Sequence, residues 1–434
     1  MMTKNLIRVA TGAVLLAVGT SGCDSLLDVS DPQRYTSEDL DGALAAVASG
    51  VEGDLFSTMD EYVIQTELLG DVYQHTGTWA QYDDVDHGRF TYANQPNVDA
   101  VYNTLMRVQW FAEDAEARFV RVLGEAEAAS SPLTAQVRSA GAISRVLVGQ
   151  AFCEAPVDPS GEAVSDQQVL ERAVTALTDA IATAQAAGAT EWVTVNTAMR
   201  ARAHLLLGQY DLALADAQQI PDGFEKLSLF SENSGRQNNS LVTLTTRDFN
   251  RAAGVREKWW HLVDQDVVGL RDPYTDELDP RVPIWYDGAI GVDGVTPHYS
   301  QWKYNERGSD IPLVDSEEMR LIEAEVYWRR GELGEAMDRI NALRSAAGLT
   351  PHAATTDSDL VFEYLLHERF AETFMEGIRA SDLARLGLTR EVFAAMNDPE
   401  RPASRPIKFA IADDEAINNA NIEDDAQQRC LPKS

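Results

Sequence analysis

Positive charge is scarce in this chain. Thirty-six Lys and Arg stand against 69 Asp and Glu in 434 residues, a formal net charge of −33. A surface that acidic repels phosphate backbones and anionic headgroups, which excludes nucleic acid as a partner. Cysteine is scarcer still, at three. None of the three has a neighbour at metal-ligand spacing, so no metal site is expected. Beyond the first two dozen residues no stretch approaches the ~20 apolar residues of a membrane-spanning helix. Catalytic signatures are missing too: there is no GxSxG, no HExxH and no phosphate-cradling glycine loop. No catalytic residue and no cofactor is therefore assigned. The remaining composition, 44% hydrophobic with 28 Gly and 16 Pro, is that of a folded globular chain rather than a disordered or fibrous one. At roughly 150 residues per domain, the length fits two or three units or one elongated repeat body.

The N-terminus differs from the rest. Lys4 and Arg8 flank the start of an apolar run, Val9 to Val18, and small residues Gly19 to Gly22 lead to Cys23. This is export-signal architecture, with an apolar run too short to cross a bilayer. The end of the stretch, Ser21-Gly22-Cys23, resembles a bacterial lipobox, with Thr20 where leucine is usual. The resemblance implies removal of residues 1–22 and a lipid on Cys23; a plain secretory signal is the other reading. In an oxidising compartment, Cys153 and Cys430 are either bridged or remain two separate thiols.

Along the body the dominant pattern is amphipathic helix, with apolar residues three and four apart. It predicts helices over Asp39–Phe56, Val98–Ala126, Leu133–Phe152, Val169–Ala187, Asn196–Leu207, Leu212–Ile220, Ser316–Ala347 and Asp357–Leu386. Two segments, 198–217 and 321–340, overlay in register. Ala201 and Ala324 each precede a glycine, Gly208 or Gly331, by seven residues; Tyr210 or Leu333 follows two later, then Ala213 or Ala336. Small residues let two helices approach and the glycine turns between them, the tetratricopeptide pattern. The expected fold is thus all-α dominated, a tetratricopeptide-like scaffold of helical pairs over 36–220 and 316–386. A loop-rich irregular insertion with short strands, about 221–312, interrupts it, and a tail runs from 387 to 434. Leu241–Thr245 and Gln301–Tyr304 read as strand-like pieces of that insertion.

The aromatics suggest where a ligand is held. Tyr73, Trp79 and Tyr82 fall in a polar stretch between helices, and Trp285, Tyr286, Tyr299, Trp302 and Tyr304 in the Gly- and Pro-rich middle. Sugars present flat C–H faces to aromatic rings and hydroxyls to Asp, Asn or Gln at the ring edge. Gln81 and Asp83 beside Trp79, and Asp287 beside Trp285, supply that mix. Tyr73, Trp79, Tyr82, Trp285, Tyr299 and Trp302 are therefore the candidate ligand-binding residues. Trp110 and Trp328 lie in amphipathic helices and are expected in the core. Asp83 to Gly88 reads as a solvated acidic turn; it lacks the ligand spacing of a calcium loop.

The C-terminal third carries a resemblance. Residues 315–349 (DSEEMRLIEAEVYWRRGELGEAMDRINALRSAAGL) are similar to the signature of the SusD/RagB family. So are Glu368-Arg369, Glu376-Gly377-Ile378-Arg379 and Asp382-Leu383-Ala384-Arg385, with Asp279-Pro280-Arg281 and Lys303-Tyr304 upstream. Cys23 to Val29 and Ile407 to Asn421 resemble the family's two ends, with Ala412 where proline is usual. The resemblance implies one body from residue 23 to 434, anchored in the outer membrane by lipid and exposed at the cell surface. It implies capture of glycan, or of another nutrient such as peptide, for a SusC-like, TonB-dependent β-barrel transporter, with no catalysis. The helical repeats would offer that barrel an interface above ~2,000 Å². Two other readings remain: a periplasmic tetratricopeptide adaptor for proteins, and a secreted glycan hydrolase. For Glu368, Arg369, Glu372, Glu376 and Arg379, spacing on one helix suggests mutual ion pairing, and Gly377 within it suggests a close helix contact.

Overall fold

The computed structural model describes residues 36–89, 95–156, 161–246, 248–259, 261–263 and 267–422. The signal segment, Cys23 and Cys430 lie outside them. Cys153 is buried and disulfide-bonded. The described chain falls into two units divided after Leu44. In the first, Thr36 and Asp39 form a capping box that starts α1 (Ser37–Asp41), and Gly42 ends it. The helix expected from 39 to 56 is therefore two, the second being α2 (Leu44–Phe56).

In the body, some helices begin where a side chain satisfies a free N–H group of the first turn or a proline removes one. α3 (Met59–Leu69) and α4 (Ala80–Asp86) flank a short strand, β1 (Tyr73–His75). α5 (Pro96–Leu123) opens with a proline and is followed by α6 (Glu125–Ala128). At α7 (Pro132–Ala151) the Ser131 hydroxyl accepts from the Leu133 amide. After the β2 (Glu154–Pro156) and β3 (Ala163–Ser165) hairpin, Ser165 and Gln168 form the capping box of α8 (Asp166–Ala186). α9 (Thr190–Leu206) and α10 (Tyr210–Ala217) complete the first half. Each of α5, α7, α8, α9 and α10 packs on the next but one or next in line, giving a layered helical stack.

α7 is buried on nearly every side, and glycine lets its neighbours close on it. A Cβ on Gly141 would stand 2.8 Å from the Cβ of Ala112 on α5. Gly141→Val is therefore expected to cost about 1–3 kcal/mol, read as a lower urea midpoint with unchanged slope; an unchanged midpoint would refute the close-packing account.

The insertion does not break the stack. α10 packs directly on α12 (Ser316–Arg330), so helices a hundred residues apart are neighbours in space. The pair of α12 and α13 (Leu333–Ala346) turns at Gly331, left-handed at φ 74°, as the first pair turns at Gly208, φ 69°. Ala201, Ala213, Ala324 and Ala336 are all wholly buried, as the shared register requires. α14 (Ser358–Glu372) packs on both α12 and α13. β4 (Glu225–Ser228) pairs antiparallel with β10 (Ile311–Asp315), Ser228 opposite Ile311, and this ribbon closes the neck through which the insertion leaves and returns. The architecture is thus helix-dominated and tetratricopeptide-like, with short strands in the insertion.

Within the insertion, α11 (Ser240–Thr245) is helical where β-branched composition suggested a strand; the Asn239 side chain caps it by accepting from Val242 N. β5 (Ala253–Val255) pairs with β1, Tyr73 opposite Val255. β6 (His261–Val263), β7 (Val267–Arg271), β8 (Leu278–Trp285) and β9 (Ser300–Gln301) form an antiparallel sheet in that order. The strand expected to reach Tyr304 ends at Gln301. α15 (Arg379–Arg385), α16 (Thr389–Ala395) and α17 (Asp413–Asn418) finish the described chain.

Two further expectations are corrected. Trp110 is not core: it is 55% exposed beside Phe111, because the apolar face of α5 is wider than the face it buries. Gly377 is not inside a helix either. α14 ends at Glu372, and Gly377 sits at φ 74° in the turn before α15, where a Cβ would meet the Tyr62 ring at 2.9 Å. Trp328 is partly buried, stacked on Phe362.

Candidate functional site

Strand alternation sorts the first aromatics. Tyr73 on β1 turns inward and is wholly buried, while Gln74 and His75 stay half-covered. The next residue, Thr76, ties three segments together. Its amide donates to the Ala252 carbonyl at 2.9 Å, its hydroxyl to the Arg251 carbonyl at 2.8 Å, and its own carbonyl accepts from Asp293 N at 3.0 Å. The loop after Tyr286 is thereby folded over β1. Gly291 allows this, since a Cβ there would lie 2.2 Å from the Thr76 oxygen.

The stretch read as a solvated acidic turn is instead α4, and Asp86 at its end is wholly buried. Its carboxylate accepts from the His75 amide at 2.9 Å, from Arg401 Nε at 2.9 Å and Nη2 at 2.5 Å, and from the buried Arg256 guanidinium. Burial alone would raise this carboxyl, but Arg256 and Arg401 outweigh it and hold the group well below the usual carboxylate range. Arg405, also buried, donates to the Val85 and Asp86 carbonyls at 2.8 and 2.9 Å. The C-terminal segment is thus clamped to α4.

These segments enclose a cleft of about 580 Å³. Gln74 and His75 of β1 lie on one side, with Thr78, Ala80, Asp83 and His87 beside them. Asp293 and Thr296 from the folded loop and Glu400 and Arg401 from the tail complete the lining. Asp83 Oδ1 lies 3.3 Å from His75 Nδ1 and 3.1 Å from His87 Nδ1, while His87 Nε2 is 3.4 Å from Glu400 Oε2. Burial lowers the His75 pKa more than Asp83 and Asp86 raise it, so the ring is neutral at pH 7 and serves as a hydrogen-bonding group. Among the described residues no cluster of three or more His, Cys, Asp or Glu is arranged to hold a metal ion.

Trp79, the N-cap residue of α4, sits between two lining residues and is 38% exposed. Its ring tilts at 36° to that of Tyr82, centroids 5.8 Å apart. Tyr82 itself is 6% exposed, so of the first three candidates only Trp79 shows a ring face to solvent. Trp285 and Trp302 come together across β8 and the end of β9, centroids 5.5 Å apart, both half-buried. Tyr299 is buried and stacked on Tyr286 at 4.2 Å. The six candidates therefore divide: Trp79, Trp285 and Trp302 retain exposed surface, whereas Tyr73, Tyr82 and Tyr299 lie beneath it. His75, His87, Asp293, Thr296, Glu400 and Arg401 carry no local motif, and the sequence gives no sign that they converge. A second groove of about 390 Å³, between α5, α7 and α8, is lined by the paired Glu116–Arg138 and Glu113–Arg145 and by no aromatic ring.

The Glu- and Arg-rich C-terminal block is a buried ion network, but Glu368, Arg369, Glu372, Glu376 and Arg379 pair with groups elsewhere rather than with one another. Arg281 reaches Glu368 at 2.6 Å and Glu372 at 2.8 Å; Arg344 reaches Glu368 at 2.9 Å and Asp272 at 2.5 Å. Arg369 pairs with Asp382, Lys303 with Glu376, and Arg379 with Asp71. His367 is mostly covered, with Nε2 at 3.5 Å from Asp279. Burial pushes Asp382 up, but Arg369 and Arg385 prevail and hold it at about 2.

Residues 294–425 match the SusD family. No curated protein is detectably similar in sequence. Solved structures share the fold across most of the body. A SusD superfamily protein from Bacteroides vulgatus ATCC 8482 is 14% identical, with a TM-score of 0.67 over 87% of this chain and 98% of that one. A SusD-like carbohydrate binding protein from the same organism is 15% identical, with a TM-score of 0.64 over 89% and 98%. Another SusD-like carbohydrate binding protein, from Bacteroides fragilis NCTC 9343, is 17% identical, with a TM-score of 0.61 over 76% and 81%. Residues 294–425 thus match the SusD family model, and beyond that segment the fold is similar to that of SusD superfamily structures over most of the chain.

Proposed function

We propose that this protein is a nutrient-binding lipoprotein of the cell surface. Held to the outer membrane by a lipid on Cys23, it captures a neutral glycan without cleaving it and passes it to a SusC-like, TonB-dependent β-barrel. One observation carries the ligand class: a partly exposed indole, Trp79, lies in the chain between Thr78 and Ala80, which line a polar cleft of carboxylates, imidazoles and threonines. An aromatic face suits the C–H surface of a sugar ring, and the polar lining suits its hydroxyls. The Trp285–Trp302 pair supplies a second face. The match of residues 294–425 to the SusD family, and the carbohydrate-binding description of two proteins of similar fold, support this reading. No helix among the described residues is long and apolar enough to cross a membrane, which is consistent with attachment by lipid.

Titration calorimetry against neutral oligosaccharides of the malto, cello, xylo and laminari series tests the site. Trp79→Ala is expected to weaken the ligand that binds by about tenfold or more, with far-UV circular dichroism unchanged. Equal affinity in Trp79→Ala and Trp302→Ala would remove the site assignment. Turnover of the bound glycan would replace the binding role by a hydrolytic one.

A further inference from the structure

Beneath the exposed indole lies a second layer. Tyr82, one turn along α4 from Trp79, packs against it and sends its hydroxyl inward. There it donates to Glu61 on α3, at 3.1 Å from Oε1 and 3.3 Å from Oε2. The same carboxylate accepts from Gln65 Nε2 at 2.6 Å. Every residue of α3 is buried except Glu61, which is mostly but not wholly covered and meets Tyr82 of α4. Its neighbour Asp60 is occupied elsewhere, accepting from Ser240 N at 2.6 Å at the start of α11.

We propose that Glu61 is a positioning residue for the ligand platform: by holding the Tyr82 hydroxyl between both its oxygens, it fixes the angle at which Trp79 meets a sugar ring. The proposal rests on the reading of Trp79 as the ligand-facing ring. A carboxylate placed so that one hydroxyl bridges its two oxygens grips that hydroxyl more strongly than an acid or amide does, since hydrogen bonds to charged groups are the stronger ones. Loosening it frees Tyr82, and with it the ring that rests on Tyr82.

The charged and titratable groups bearing on Glu61 are Asp60 on its own helix and Tyr82 from α4; the arginine-paired Asp71 lies beyond the far end of α3. Burial, reinforced by Asp60 and opposed by the Gln65 and Tyr82 hydrogen bonds, pushes the Glu61 carboxyl up to about 7. The two consequences of titration then run in opposite directions. A raised carboxyl contributes to stability below its unfolded value and loses that contribution as pH rises through 7. Ligand affinity instead improves over the same range, because ionised Glu61 orders Tyr82. A residue that only supported the fold would move both together.

The test uses the whole chain carrying 5-fluorotryptophan, with the Trp79 resonance identified by its loss in Trp79→Phe. Its ¹⁹F shift is expected to titrate with a midpoint near 7, and the titration is expected to vanish in Glu61→Gln and Tyr82→Phe. At pH 8 the oligosaccharide that binds the unaltered protein is expected to bind Glu61→Gln about five- to tenfold more weakly; at pH 5.5 the two agree within about twofold. Glu61→Gln is also expected to melt no lower than the parent at pH 8. A Trp79 signal indifferent to both substitutions overturns the proposal whatever the ligand. A signal that responds while Trp79→Ala leaves saccharide binding intact overturns the ligand reading beneath it.

Discussion

Arg281→Met is expected to destabilise the fold by about 3–5 kcal/mol, the cost of breaking a buried ion pair from one side. The arginine joins the insertion to the last helical layer through two carboxylates of α14, and is itself held by Asp279 of its own strand. Nε and Nη2 take Asp279 at 2.9 and 2.6 Å, while Nη1 takes Glu368 and Glu372 at 2.6 and 2.8 Å. The Asp279 and Glu368 side chains have no solvent exposure at all. Methionine fills much of the volume but leaves both without their shared cation, and Glu368 keeps only Arg344. The pH dependence identifies the cause. Burial would raise Asp279, yet Arg281 and His367 hold it well below the ordinary range, so the native network persists as pH falls through the carboxylate region. Without Arg281, burial is expected to raise the Asp279 carboxyl instead. A raised folded value gives stability that is present at low pH and lost as pH rises, so the deficit should be smallest near pH 4.5 and largest near pH 7.5. Urea unfolding at those two values reads the difference. Arg281→Lys is expected to recover only part of it, since one ammonium cannot serve two oxygens of Asp279 and two glutamates at once. A loss below about 1 kcal/mol, equal at both pH values, would show that the network is solvated.

The helical pairs were legible because each half-buried helix writes its buried stripe into the sequence every third or fourth residue. α3 was not, for a physical reason. All of its residues except Glu61 are buried, including Asp60, Gln65, Thr66 and Glu67, so no polar face exists to set a period. α11 misled in the other direction: Leu241 to Thr245 is β-branched and apolar, but the Asn239 cap and a buried environment make it helical. The adjacency of α10 and α12 depends on the β4–β10 ribbon, a pairing across more than eighty residues that no local signal announces. At the candidate site, residue type marked Trp79, Trp285 and Trp302, whereas Tyr73 looked the same until strand alternation turned it inward. The cleft lining was illegible because it is assembled from 74–87, 293–296 and 400–401 by backbone bonds to Thr76 and by salt bridges to Asp86. The C-terminal block was legible as structural in role but not in its partners, since ion pairs across layers leave no spacing in the sequence.

Asp86→Asn should have an effect on stability of the same order, about 3–5 kcal/mol, and unlike Arg281→Met it should also impair the cleft. Asp86 is the only carboxylate shown to take both Arg256 and Arg401 among the described residues, and Arg405 lies against its backbone carbonyl. Asp86 is the buried anion on which those three guanidiniums converge, with Arg401 also pairing with Asp398; burial and the neighbouring Arg256 and Arg401 already hold Arg405 down to about 9 against the pull of Asp86. An asparagine offers a single acceptor oxygen and no charge. It cannot satisfy Arg401 through two nitrogens while also receiving the His75 amide and Arg256. The uncompensated cations then separate, and two of the segments that move, His75 and Arg401, are part of the cleft lining. Ligand affinity should therefore fall even at temperatures where the protein remains folded, together with a lower melting temperature. Asp84→Asn is the control: its ion pair with Arg89 at 3.4 Å is long and partly exposed, so a change within about 1 kcal/mol is expected. If Asp86→Asn were no worse than Asp84→Asn, α4 and the tail would be held by packing alone. If it lowered stability while leaving saccharide affinity intact, the binding site would have to lie away from this cleft.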